Sequence, residues 1–206
     1  MNEEVQEHLQ VIRTLMERVA LYRRALAPVF LALGALGLAG AAGGWLLRLA
    51  DVRLFAGWWL GIAVVASILS VILVRRQAWQ AREPSWTPPA RRMAQAVLPA
   101  LTAGLAITWF LSQSGIPAGL AEASLVVAWH LSYGLALLTA GFFAPRGVRR
   151  LGMVFFGVAL GMGLIEIGLG WMPEPRLQHG VMGATFGVVH LLAAAWLRVT
   201  EPANGL

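Results

Sequence analysis

Apolar residues dominate this chain in six long stretches, 25–47, 54–74, 94–111, 117–143, 151–171 and 180–197. Short segments rich in arginine, proline and polar residues separate them. Each stretch is about the length a helix needs to cross ~30 Å of hydrocarbon at 1.5 Å per residue. The arginines alternate from one gap to the next. On one side fall Arg13, Arg18, Arg23 and Arg24 of the N-terminal arm, Arg75, Arg76, Arg82, Arg91 and Arg92 after the second stretch, Arg146, Arg149 and Arg150 after the fourth, and Arg198 after the sixth. The other side holds only Arg48, Arg53 and Arg176. Positively charged loops stay cytoplasmic. The pattern therefore predicts an all-α integral membrane bundle of six transmembrane helices, with both ends inside, in a bacterial inner membrane.

Residues 1–24 read as a cytoplasmic amphipathic helix. Val5, Leu9, Ile12, Met16 and Val19 recur at spacings of four and three, which places them on one face. The opposite face mixes Glu3, Glu4, Glu7 and Glu17 with Arg13 and Arg18, whereas a membrane-surface helix usually has a cationic polar face. The arm thus fits a lead-in to the first span, contact with a larger membrane complex, or pairing with a second copy. Residues 25–198 make the transmembrane domain and 199–206 a cytoplasmic tail.

Sliding the chain 126 positions against itself lays Arg23-Arg24, Gly37-Leu38 and Gly44-Trp45 on Arg149-Arg150, Gly163-Leu164 and Gly170-Trp171. Both copies run the same way, which suggests three out-and-back hairpins. Gly34, Gly37, Gly40 and Gly43 form a smooth stripe on the first span. Gly157 with Gly161, and Gly183 with Gly187, are small-residue pairs four apart. Such surfaces predict close helix packing.

With 206 residues, 58% of them apolar and 13% charged, the chain has no room for a separate soluble domain. The arginine placement accounts for the net charge of +6, so a lipid bilayer is expected as partner and nucleic acid is not. Absence of cysteine excludes disulfides, thiol catalysis and thiolate metal sites. All sixteen basic residues are arginine, which excludes Schiff-base chemistry and points to a GC-rich genome. The first apolar stretch is too long for a signal-peptide core, so no cleavable signal is expected.

Ionisable groups inside a membrane are costly and are functional candidates by default. Four lie within the spans: Glu122 and His130 in the fourth, Glu166 in the fifth and His190 in the sixth. Helical rise puts both histidines roughly 16–20 Å from the arginine-poor end and both glutamates roughly 7–8 Å from it. Three arrangements follow. The histidines can stay neutral and bond a neighbouring helix through Tyr133, Ser132 or Thr185, with the glutamates at the headgroup boundary or paired to Arg48, Arg53 or Arg176. The four can line an open polar cavity and exchange protons as a solute moves. Or His130 and His190 can hold a metal or a b-type haem, for which two histidines on facing helices are suited. A histidine pair alone is weak for zinc, and no cofactor is the leading expectation. Neither a Gly-x-Ser-Gly nucleophile nor a His-Glu-x-x-His motif occurs, so the chain reads as non-enzymatic.

The arm Glu7-His8-Leu9 … Ile12-Arg13-x-Leu15-Met16-Glu17-Arg18 resembles the opening of a loosely defined set of uncharacterised bacterial six-span membrane proteins. Trp129 … Tyr133-Gly134 and Gly183 … Gly187-x-x-His190 resemble that set as well. The first span departs from it in lacking a Trp-Gly segment just after the arm. The resemblance implies the topology, an accessory or stress-related role and some importance for His190. Together these readings favour a small membrane protein that binds a ligand, lipid or ion within its bundle as a minimal permease or sensor. The alternatives are an accessory subunit of a larger membrane complex, and a haem- or metal-binding redox protein using His130 and His190.

Overall fold

A computed structural model of the chain describes residues 26–82, 84–170 and 174–200. The described residues form helices and turns, with no strand among them. Helix α1 is Leu26–Leu46, α2 Val52–Gln80, α3 Pro88–Gln113, α4 Ala118–Ala140 and α5 Arg146–Leu169. A last rod joins α6 (Pro175–Met182), a π-helical segment (Gly183–Val189) and α7 (His190–Thr200). Six helices are long and apolar enough to cross a membrane, the last being Arg176–Val199. The arm expected over 1–24 and the tail beyond Thr200 lie outside the described residues.

Several helices overrun the apolar stretches because polar residues start or continue them. The side chain of Asp51 caps α2, accepting from the backbone N–H groups of Arg53 at 2.9 Å and Leu54 at 3.1 Å. That helix then continues through Arg75 and Arg76 to Gln80. The prolines expected to break helix over 77–90 also serve to start one. Thr87 caps α3 and Pro88 occupies its first turn, where a missing N–H costs nothing. Pro175 begins α6 five residues before the apolar stretch at 180, which draws Gln178 and His179 into the helix.

Helix α4 is the hub. It packs most extensively on α5 and α3 and also meets α2 and α6. Gly134 and Gly152 permit the closest α4–α5 approach. A Cβ on Gly134 would stand 2.7 Å from the Phe156 nitrogen, and one on Gly152 2.8 Å from the Leu138 nitrogen. Helix α1 lies on the last rod instead. A Cβ on Gly37 would meet the Phe186 carbonyl at 2.5 Å, and one on Gly183 would meet Ala41 at 2.6 Å. Gly34 and Gly37 of the stripe therefore dock on the last rod beside Gly187, whereas Gly40 and Gly43 face Ile62 and Trp58 of α2. Gly157 and Gly161, by contrast, meet nothing within 4 Å. Three hairpins describe the connectivity, but the packing joins the first helix to the last rod around α4.

Two apolar clusters sit at different depths. Val29, Phe30, Ala140, Val148, Leu151, Phe155, Ala194 and Leu197 pack toward the arginine-rich end. Phe55, Trp59, Val126 and Met182 pack toward the other.

Candidate functional site

Residues four apart on a helix share a face, so Glu122, Val126 and His130 form one line along α4, and Tyr133 follows a turn later. This line meets the last rod. The His130 ring is fully buried. Its Nδ1 lies 2.6 Å from the Val126 carbonyl and its Nε2 2.7 Å from the Thr185 hydroxyl. A carbonyl can only accept, so Nδ1 carries the hydrogen and the neutral ring accepts from Thr185 at Nε2. The Tyr133 hydroxyl lies 2.8 Å from His190 Nε2. His190 Nδ1 turns toward the Phe186 and Thr185 carbonyls of its own rod without closing a hydrogen bond.

The π segment makes both contacts possible. Thr185 and His190 are five residues apart, and five α-helical steps of about 100° would turn them roughly 140° away from each other. A π turn closes on the fifth residue instead, so both side chains face α4. Helix α7 then resumes at His190.

Phe155 and Phe186 separate the two imidazoles. His130 lies 5.6 Å from Phe155 and 5.1 Å from Phe186, and His190 lies 5.3 Å and 6.1 Å from the same rings. A haem between the histidines would need that space and a free nitrogen on each ring. Aromatic rings fill the space and both nitrogens of His130 are engaged, so the residues do not fit the group. Among the described residues, no three His, Asp or Glu side chains are grouped closely enough to hold a metal ion.

A cavity of about 540 Å³ opens beside Tyr133 and His190, between α1, α2, α3, α4 and the π segment. Aliphatic side chains such as Leu33, Leu36, Ile62, Leu101 and Leu105 make most of its wall. Ser132, Tyr133 and His190 are the polar side chains beside them. Ser67 and Ser70 also line it, but their hydroxyls donate to the Ala63 and Ala66 carbonyls of their own helix. This cavity is mostly apolar. Glu122, His130 and Glu166 are not part of its lining.

The glutamates lie toward the arginine-poor end. Glu122 is fully buried, and neither of its carboxyl oxygens has a partner. Glu166 Oε1 is also buried and unpartnered. The arginine pairing considered for Glu122 does not form. Arg53, one of the candidates, donates from Nε to the Ser112 carbonyl at 3.2 Å.

Two fully buried polar residues were not legible as candidates because they precede the sixth apolar stretch. Gln178 has neither carboxamide atom partnered. His179 accepts at Nδ1 from the Trp59 indole at 3.1 Å and donates from Nε2 to the Leu49 carbonyl at 3.1 Å. An indole N–H only donates, which fixes that tautomer. His179 thereby ties α2 and the α1–α2 turn to α6. The adjacent pair Gln178-His179 just after Pro175 was the available signal.

Compared with family models, curated proteins and solved structures, the chain matches none. Its functional reading rests on its own residues.

Proposed function

We propose that this chain is an integral protein of a bacterial inner membrane, both ends cytoplasmic, that binds a neutral lipid between its helices. The single observation that carries the reading is the cavity: about 540 Å³, with a mostly apolar lining that includes Ser132, Tyr133 and His190. Binding pockets commonly have roughly this size and this mixture of apolar wall and few polar groups.

These polar side chains select the head group. If Tyr133 donates to His190 Nε2, its oxygen remains free to accept; if His190 donates, the phenol hydrogen is free. The pair can therefore serve either a hydroxyl or a carbonyl. Ser132 adds a second hydroxyl. A long apolar molecule with one such head, inserted sideways from the bilayer, meets these demands without carrying charge into the bundle. Binding without chemistry suits a sensor or a minimal permease.

The test is photocrosslinking with a neutral lipid bearing a diazirine near its head group. Label should concentrate on the cavity faces of α2 and α4, and Ala66→Phe, which fills the cavity, should remove most of it. Even labelling of the whole lipid-facing surface, unchanged in Ala66→Phe, would refute the reading.

A second reading is favoured by a separate observation. Gly57 and Gly61 on α2 and Gly157 and Gly161 on α5 are surfaces with nothing within 4 Å. Small-residue grooves of this kind suit another transmembrane helix, as an accessory subunit or a homo-oligomer would supply.

A further inference from the structure

The arginine-poor end holds a second constellation, independent of the apolar cavity. Val126 of α4, Met182 of α6, Met162 of α5 and Phe55 of α2 pack in one apolar cluster. One turn farther out from each stands a polar residue: Glu122, Gln178, Glu166 and Asp51. Helix α4 and the last rod run parallel and keep one register. His130 bonds Thr185 across 55 positions and Tyr133 bonds His190 across 57. Val126 and Met182, 56 positions apart, meet in the cluster, and Glu122 and Gln178 are also 56 apart. Glu122 and Gln178 therefore stand at the same level of the two helices.

Both side chains are fully buried, yet no hydrogen bond joins them. Glu122 Oε1 and Oε2, Gln178 Oε1 and Nε2, and Glu166 Oε1 are all without partners. Buried polar atoms in folded proteins are nearly always bonded. Here several orphans gather at one level on three helices. A carboxyl group removed from water either takes up a proton or gains a compensating charge.

We propose that this layer binds a small nitrogen cation, an ammonium or guanidinium group. The carboxylates and the Gln178 carbonyl only accept and the Gln178 amide nitrogen can serve one of them, so a ligand that brings N–H donors and positive charge satisfies the rest. The acidic groups are not gathered tightly enough for a metal ion. A cation with several N–H groups spans such a layer where a bare ion does not. Glu122 supplies the central contact, Gln178 a second, and Glu166 lies at the same level on α5.

Isothermal titration of the full chain in zwitterionic nanodiscs, with methylguanidinium and methylammonium as probes, tests the site. Choline, which has charge but no N–H, and sodium are the controls. At least one probe should bind saturably while choline and sodium do not. Glu122→Gln should weaken it by about thirtyfold or more, the scale of losing one side of a buried charge pair. Gln178→Leu should weaken it roughly five- to tenfold, as for one lost hydrogen bond, whereas Gln178→Glu should bind at least as tightly as the native chain. Absence of saturable binding, equal binding of choline, or an unaffected Glu122→Gln overturns the proposal. If Glu122→Gln does not fold, the two Gln178 variants decide, and identical affinities for both would overturn it equally.

Discussion

The Thr185 hydroxyl has one hydrogen and three acceptors within reach, His130 Nε2 at 2.7 Å and the carbonyls of Val181 at 2.8 Å and Met182 at 3.3 Å. With the imidazole neutral, the hydrogen serves the ring, and Thr185 becomes the only donor to a fully buried nitrogen. Thr185→Val keeps the shape and removes that donor. It should cost about 1–3 kcal/mol, the penalty of orphaning a buried acceptor, whereas Thr185→Ser should stay close to the native value. Thermal unfolding in detergent distinguishes the two, and equal midpoints for both variants would contradict this role. The partners of His130 and His190 were legible as alternatives in the sequence, since Thr185, Ser132 and Tyr133 were the polar groups at matching depth. Which alternative forms was not legible, because the choice depends on how the last rod is turned toward α4.

That turn belongs to the π segment, which hydrophobic periodicity does not reveal. An apolar stretch containing Gly183, Thr185, Gly187 and His190 reads as an ordinary span, and only the five-residue gap between its polar members hints at a wider turn. The glycines were more informative. The stripe on α1 and the Gly183–Gly187 pair pack closely, as expected, but Gly34 and Gly37 meet the last rod while Gly40 and Gly43 meet α2, a division that spacing along one helix cannot specify. Gly37→Leu should force α1 off the Phe186 backbone and destabilise the fold by about 1–3 kcal/mol or more. Gly61→Ala, at a position with nothing within 4 Å, should fall within about 0.5 kcal/mol of the native chain. The difference between the two unfolding midpoints measures the α1 contact, and similar losses from both would show that the stripe is not a packing surface. The start of the last helix was misplaced for a plain reason. Pro175, Arg176, Gln178 and His179 are polar or helix-breaking by composition, yet proline at the first turn and burial of both Gln178 and His179 make them part of the rod.

Over the whole molecule, six apolar stretches made the helix count legible, because it depends on the length and apolarity of each stretch alone. The cavity was not legible, since its walls come from α1, α2, α3, α4 and the last rod, and no local pattern encodes how far α2 stands from α1 and α3. Helix α2 is the least buried of the six, which is consistent with a side entrance for lipid next to it. The most direct measurement is native mass spectrometry of the full chain released gently from its own membrane. The account predicts a discrete lipid mass on the native protein, absent from Ala66→Phe and reduced in Tyr133→Phe. A bare protein, or a native chain and Ala66→Phe that carry the same lipids in the same amounts, would contradict it.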